Sequence, residues 1–281
     1  MGILDFIKKK HINVGNILKT IVLIVVMVLL LLPFLWILIL SLNKELSIFN
    51  VPIKLFPAPT FEHYIALFRE ADFKKFFANS FIASIIGVVL GIVFGVPAAY
   101  VFSKVSFKAN RFLFMLILLS RITPGAVFII PYYVAFMKMD FIDNIIGLGI
   151  IFIVITFGLV IWILKPFFDD IPNSIEEAAK IDGCGIITTL LKISLPLATP
   201  GITTVAIFSF IFCWNEFFFA LILTYREATT ATGGILNLME FEHIKWGAIA
   251  AASIMTSLPV IIMGIAIRKY FVRGLATGAF K

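Results

Sequence analysis

Charge is scarce in this chain of 281 residues. Asp, Glu, Lys and Arg supply 14% of it, against 61% hydrophobic residues and a mean hydropathy of +1.09. Soluble domains run nearer a quarter charged, so the deficit excludes an ordinary soluble globule and leaves an integral membrane protein. Cysteine is rarer still, with only Cys184 and Cys213. One falls in a polar loop and the other in a long apolar run, which excludes a disulfide framework and predicts two free thiols. The three histidines, His11, His63 and His243, are scattered at no metal-ligand spacing, so no metal site is expected. Neither His-Glu-x-x-His nor Gly-x-Ser-x-Gly occurs, and no histidine falls in an apolar run. An intramembrane enzyme would therefore lack both a nucleophile–base pair and a metal motif. Internal repeats and low-complexity tracts are also missing.

What the chain does have is long apolar runs. Six stretches, at approximately 18–42, 79–103, 112–136, 144–165, 197–224 and 246–268, reach the roughly 20 residues needed to cross the hydrocarbon. Each is predicted to be helical, because a single span in lipid must satisfy its own backbone hydrogen bonds. The expected fold class is an all-α integral membrane protein of six transmembrane helices, forming one domain over residues 1–281. The first run follows Lys8, Lys9 and Lys10 and ends in Ser-Leu-Asn-Lys at 41–44. It exceeds the roughly 7–15 residues of a signal-peptide core and lacks a small-residue cleavage site, so it reads as a retained span.

The net charge of +7 could point to nucleic acid, but its distribution points elsewhere. With the N-terminus inside, the cytoplasmic segments hold 14 basic and 6 acidic residues, and the outer segments hold 8 and 9. The excess is a positive-inside signal, which places both termini in the cytoplasm. Outside, Pro52, Pro57 and Pro59 rule out a continuous helix across 43–78. Thr60 is placed to cap a short amphipathic helix from Phe61 to Arg69, with Phe61, Ile65 and Phe68 on one face.

Within the spans, polar and small residues single themselves out. Gly87, Gly91, Gly95 and Ala99 recur every four residues on one face of the second span. Close helix packing is the plainer reading of that stripe, and a sliding helix is the functional one. The third span carries Arg121, Pro124, Gly125 and Pro131. A mid-membrane charge costs at least ~2.5–3.5 kcal/mol and so needs a partner or water. The fifth span carries Trp214, Asn215 and Glu216 in an otherwise apolar helix. At ~1.5 Å per residue, Arg121 sits about 14 Å above the cytoplasmic edge and Glu216 about 30 Å above it. That gap favours a polar pathway touching both over a single structural pair, though both readings stand.

The loop after the fourth span, 169–196, is too long for a turn and too polar for lipid. Pro172 and Asn173 end the preceding helix, and Ser174-Ile-Glu-Glu177 has capping-box spacing with Ser174 at the cap. A short helix is predicted through Ala178, Ala179, Lys180 and Ile181, with Gly183 as its stop and Pro196 marking the start of the fifth span. Its small, alanine-rich face suits a groove on another protein. A capped connector is the bland alternative.

Glu177-Ala178-Ala179, three residues, Gly183, nine residues, and Ile193-Ser-Leu195-Pro196 together resemble the Glu-Ala-Ala loop of permease subunits in binding-protein-dependent ABC importers. Such a long gapped match is specific. The family often has Gly-Ala-Ser at the turn where this chain has Gly183-Cys184-Gly185. Trp214-Asn215-Glu216-Phe217, Tyr270-Phe-Val-Arg-Gly-Leu275, the ending Gly278-Ala-Phe-Lys281, Pro33-Phe-Leu-Trp36 and Asn79-Ser80 are similar to carbohydrate-type permeases, near the smaller maltose permease subunit. The resemblance implies that the loop is a coupling helix seated in a cleft of a separate ATP-binding subunit. Ser174, Glu177, Ala178, Ala179, Asp182, Gly183, Ile193, Leu195 and Pro196 would then carry ATPase coupling. Arg121, Trp214, Asn215 and Glu216 are the weaker choices for a substrate pathway.

Further implications of the resemblance are an ATP-binding cassette dimer, a second homologous permease subunit and an extracytoplasmic solute-binding protein as partners, in the cytoplasmic membrane and its lipid, with no nucleic acid. No cofactor is expected on this chain, ATP being used by the partner. Carbohydrate is the expected cargo, with polyols and sugar phosphates as alternatives carried by related permeases. A stand-alone secondary transporter or channel needs coupling-ion carboxylates or a filter, and only Glu216 could serve.

Overall fold

The computed structural model describes residues 14–45, 59–69, 72–123, 125–239 and 244–278. Tyr270–Gly278 lies in its last helix, whereas the outer prolines at 52 and 57 and the closing Ala279–Lys281 lie outside the described residues. The described chain is helical throughout, apart from one isolated antiparallel bridge between Met239 and Ile244. In chain order the helices are α1 Val14–Ser41, α2 Glu62–Arg69, α3 Phe73–Lys104, α4 Asn110–Ile122, α5 Ile129–Lys138, α6 Ile145–Ile151 and α7 Ile153–Asp169. They continue as α8 Asn173–Ile181, α9 Ile186–Thr189, α10 Leu195–Leu197, α11 Thr199–Trp214, α12 Phe218–Leu223, α13 Ala231–Gly234 and α14 Trp246–Gly278. Four helical stretches are long and apolar enough to cross a membrane: Leu18–Ser41, Phe73–Lys104, Ile145–Asp169 and Trp246–Ile267. A fifth is a pair, Ile186–Leu197 and Thr199–Trp214, bent by 81°.

Two of the expected continuous spans are broken. The run at 112–136 divides into α4, a 3-10 turn over Gly125–Phe128, and α5. The Pro-Gly pair at 124–125 accounts for this, since proline lacks the N–H that the helical ladder needs. Pro131 is tolerated because it falls in the first turn of α5, where no ladder bond is lost. The run at 197–224 likewise stops at Trp214 and resumes at Phe218. Asn215 and Glu216 therefore sit in the gap between α11 and α12 rather than inside a helix. Each spends its side chain on nearby backbone: Asn215 Nδ2 donates to Ile211 O at 2.9 Å, and Glu216 Oε1 accepts from Phe219 N at 3.1 Å. Short polar side chains compete with the helical ladder in this way.

The described residues fall into two compact units. One holds α1, the segment up to Ile65, and Lys245–Ile254. In it Glu45 accepts from the N–H groups of Trp246 and Gly247 at 2.8 and 3.0 Å, closing the first turn of α14. The buried His63 ring nitrogen Nε2 lies 2.7 Å from Asn43 O. A methyl on Gly247 would overlap that imidazole. Thr60 caps the start of α2 as expected, accepting from Glu62 N at 3.2 Å.

The second unit, Ala66–Ile244 with Met255–Lys281, is centred on α3. Its glycine stripe settles onto a matching four-residue repeat of Phe152, Thr156 and Val160 at the start of α7. A Cβ built on Gly87 would lie 2.6 Å from Phe152 Cβ, one on Gly91 would overlap the Thr156 hydroxyl, and one on Gly95 would lie 2.6 Å from Val160 Cβ. Thr156 Oγ1 in turn donates to Gly87 O at 3.1 Å, tying the two backbones. The stripe therefore serves close packing, driven in lipid by contact and interhelical hydrogen bonds rather than by water. Around it, Val96, Ala99, Tyr100, Val160, Ile161, Leu164 and Phe168 form one core, with Ala198 and Val205 of the fifth run against them.

Candidate functional site

The segment 169–196 folds as a short helix, a tight stop and a bent return. The helix α8 covers Asn173–Ile181, so it starts one residue before Ser174. Pro172 stands at its cap position with no side-chain cap bond, and the expected capping box does not form. A tertiary bond takes its place. Lys104, the last residue of α3, donates through Nζ to Ile171 O at 2.6 Å and to Asn173 Oδ1 at 3.1 Å. Beside it, Ser103 Oγ donates to Asp169 Oδ1 at 2.6 Å, and Lys165 pairs with the other oxygen at 2.7 Å. The start of α8 is thus fixed by the C-terminal end of α3.

The stop lies where the sequence places it. Gly183 has φ +82, and its N–H donates to Lys180 O while Cys184 N donates to Ala179 O at 2.9 Å. Those two bonds form the Schellman motif that a left-handed residue after a helix allows, and glycine adopts it without steric cost. The chain then returns through α9 and a π turn over Leu190–Ser194, and the 81° bend falls between Leu197 and Thr199.

Exposure sorts the expected residues into two sets. Ser174, Glu177, Ala178, Asp182 and Gly183 face outward, as does Pro196. Ala179 is buried, and Ile193 and Leu195 are half-buried. The outward set carries an apolar tip, with Ile181 87% exposed and Ile187 70% exposed. The residue that sequence reasoning passed over is Glu176. It is buried in the first turn of α8, where Ser194 Oγ donates to its Oε1 at 2.8 Å. The signal was available: residues 176 and 179 are three apart and share one face, while 177 and 178 share the other.

The intramembrane candidates stay apart. Arg121 Nη1 donates to Ile155 O at 3.1 Å, and its guanidinium lies 5.8 Å from the centre of the Phe212 ring. Gly158 leaves the room its aliphatic stem occupies. Among the described residues Arg121 and Glu216 form no ion pair. Trp214 is fully buried, stacked on Phe210 with centroids 5.6 Å apart, and its indole N–H donates to Thr256 O at 2.9 Å.

On the opposite side of the membrane from 169–196, in the orientation read from the sequence, Asp143 organises the loop after α12. Its carboxylate accepts the backbone N–H groups of Tyr225, Arg226, Glu227 and Ala228, all within 3.1 Å. Burial alone would raise its pKa, but those four donors outweigh it and hold the carboxyl below the ordinary carboxylate value. Lys75 pairs with Glu227 at 2.6 Å, and Asn79 Nδ2 donates to the carbonyls of Glu227 and Thr229. The start of α3 thereby fastens the same loop. Nothing in the sequence pattern marks Asp143 for this role.

The chain is similar to known transport proteins. Residues 87–277 match the family described as binding-protein-dependent transport system inner membrane component. The trehalose transport system permease protein SugB of Mycobacterium tuberculosis is 34% identical over 256 residues, 89% of this chain and 92% of that protein. The trehalose/maltose transport system permease protein MalG of Thermococcus litoralis is 30% identical over 275 residues, 95% and 98% of the two chains. In fold, the chain is similar to a chain of a bacterial ABC transporter involved in the import of the acidic polysaccharide alginate. The TM-score is 0.76 at 24% identity, over 92% of this chain and 97% of that one.

Proposed function

The chain belongs to the binding-protein-dependent transport system inner membrane components, and from that premise we propose that it is the membrane-spanning subunit of an ATP-driven importer for a carbohydrate or a related solute. It is a multi-pass protein of the inner membrane. The proposal completes it as a single permease domain of six spans with both termini in the cytoplasm, the broken runs at 112–136 and 197–224 serving as the third and fifth. Carbohydrate is taken as the cargo because relatives of this length are trehalose and maltose permeases.

The observation that carries the reading is α8 with its exposed tip. A Gly183-stopped helix presents Glu177 and Ala178 beside Ile181, and no element of this chain covers them among the described residues. Apolar side chains so exposed outside the lipid fit a docking contact with another protein. In this reading α8 sits in a cleft of an ATP-binding subunit, one of a dimer, and a second homologous permease carries the equivalent helix. ATP closes the dimer and draws the two helices together, opening a central cavity toward the solute-binding protein. Hydrolysis resets it. Arg121, Asn215 and Glu216, with Trp214 packed behind them, are the residues proposed to face the pathway. This chain breaks no covalent bond and holds no cofactor; its contribution is differential contact with two states. Reversing a 1:99 balance of states takes about 5.5 kcal/mol.

Co-expression with the neighbouring ATPase subunit tests the reading, with Glu177→Lys as the probe. The variant is expected to insert and assemble but to separate ATP hydrolysis from uptake of radiolabelled trehalose or maltose. Normal uptake per ATP by Glu177→Lys would sink it.

A further inference from the structure

We infer that Glu176 is a positioning residue, whose buried carboxylate fastens α8 to both α3 and the segment leading into α11 so that the three move as one piece. The inference rests on the reading of α8 as the helix gripped by the ATPase.

Glu176 is 5% exposed, whereas Glu177 beside it points outward. Its carboxylate accepts one hydrogen bond and lies beside a side chain of a second element. Ser194, the last residue of the π turn, donates from Oγ at 2.8 Å, and the side chain of Tyr100 on α3 interacts with both the carboxylate and the Ser194 hydroxyl. Ser194 and Tyr100 are themselves buried. No Lys or Arg forms an ion pair with Glu176 among the described residues. The nearby Lys104 is engaged by Ile171 O and Asn173 Oδ1.

A carboxyl group buried beside hydroxyls, with no ion-pair partner among the described residues, is a costly way to hold two elements together. An apolar side chain of the same size would pack there at no such cost. What the carboxylate supplies and a methionine cannot is direction: the bond from Ser194 sets the angle between α8 and the π turn, with the Tyr100 side chain of α3 beside it. The surroundings stiffen this junction. Tyr100 stands edge-on to Phe168 of α7 with centroids 5.5 Å apart at 83°, and Lys104 holds the start of α8 from the same helix. Ser194 lies four residues before Ala198, where the bend into α11 falls. A pull on α8 therefore reaches the fifth run through Glu176, and the second through Glu176 and Lys104 together.

The test measures whether α8 and α3 keep a fixed distance when ATP binds, and needs no transported solute. The full chain, assembled with its permease and ATPase partners, carries nitroxide labels at the exposed Lys180→Cys of α8 and Val101→Cys of α3, with Cys184→Ser and the buried Cys213 retained. Pulsed electron spin distances are recorded without nucleotide and with ATP. In the parent, one narrow distance is expected in both states. Glu176→Met keeps volume but no acceptor, and the double variant Tyr100→Phe, Ser194→Ala keeps the carboxylate but no donors. Both are expected to lose the single distance on ATP binding while still hydrolysing ATP, and Glu176→Gln is expected to restore it. If either variant misfolds, the other still decides. A distance that shifts with ATP in the parent, or stays fixed in the folded Met or double variant, overturns the inference. Failure of the parent chain to assemble with any ATPase would instead overturn the coupling reading beneath it.

Discussion

Gly91 of α3 and Thr156 of α7 are so close that a single methyl group on the glycine would occupy the place of the threonine hydroxyl. The contact lies midway along the stripe that joins the two helices. Gly91→Ala is expected to destabilise the folded chain by about 1–3 kcal/mol through overpacking. Thr156→Gly should recover part of that loss when combined with it, although by itself it gives up a few tenths of a kcal/mol in helix propensity and about 1 kcal/mol for the bond to Gly87 O. Thermal unfolding of the four proteins of the cycle in detergent measures the coupling. Strict additivity would mean that the two helices do not rest on each other there.

The Asp143 clamp on the loop after α12 gives a pH dependence of definite sign. Asp143 has its carboxyl held below the ordinary value in the folded chain, so the unfolded loop binds the extra proton first as acid is added. The stabilisation is complete above the unfolded value of about 4 and disappears as pH falls through the folded one. Amide hydrogen exchange at Tyr225–Ala228 should therefore be slow and pH-independent in its protection down to about pH 4, and lose protection below it. Asp143→Asn keeps tolerance for the left-handed backbone at φ 54 but removes the charge. It is expected to weaken the clamp by on the order of 1 kcal/mol at neutral pH, the solvent contact of the group being allowed for. Protection unchanged in the Asn variant would mean that the four N–H groups are held by something else.

Gly183 separates backbone strain from side-chain crowding. No atom lies within 4 Å of a Cβ built there, yet its φ is +82. A side chain thus has space but not conformation. Gly183→Asn is expected to be nearly neutral, and Gly183→Val to cost about 1–2 kcal/mol and fray the last turn of α8. Uptake per ATP should follow the same order. Equal uptake for Asn and Val would show that the stop is not needed to present Glu177 and Ile181.

Trp214 offers a way to separate packing from cargo contact. Its indole is fully buried and its N–H is bonded to Thr256 O. Trp214→Phe is expected to lower stability by about 1–3 kcal/mol through the lost bond and the space left behind. The KM for radiolabelled cargo should stay unchanged, whereas Asn215→Ala and Glu216→Ala shift it. A KM change for Trp214→Phe alone would place the indole in the pathway.

The sequence made helices legible wherever apolar runs were uninterrupted, as in Leu18–Ser41, Phe73–Lys104 and Ile145–Asp169. It also located the stop at Gly183, because a glycine after an alanine-rich turn has a local meaning. Two things escaped it. The break at 215–217 depends on side chains turning back to their own backbone, and the one at 123–125 on the Pro-Gly pair, neither of which hydropathy registers. The roles of Glu176 and Asp143 depend on partners far along the chain, at Ser194 and at Tyr225–Ala228. Ser174 failed as a cap for the same reason: Lys104, about 70 residues earlier, had fixed the start of the helix.

The corner between Leu197 and Thr199 sets the kind of movement the fifth run can make. Two arms meeting at 81° behave as an elbow. Under the proposed coupling, drawing the short arm sideways would swing the long arm about the corner rather than haul it up or down. In the importer reading, a gate worked from such a joint would lean open like a door hung at one edge, with its widest travel at the other end of the long arm.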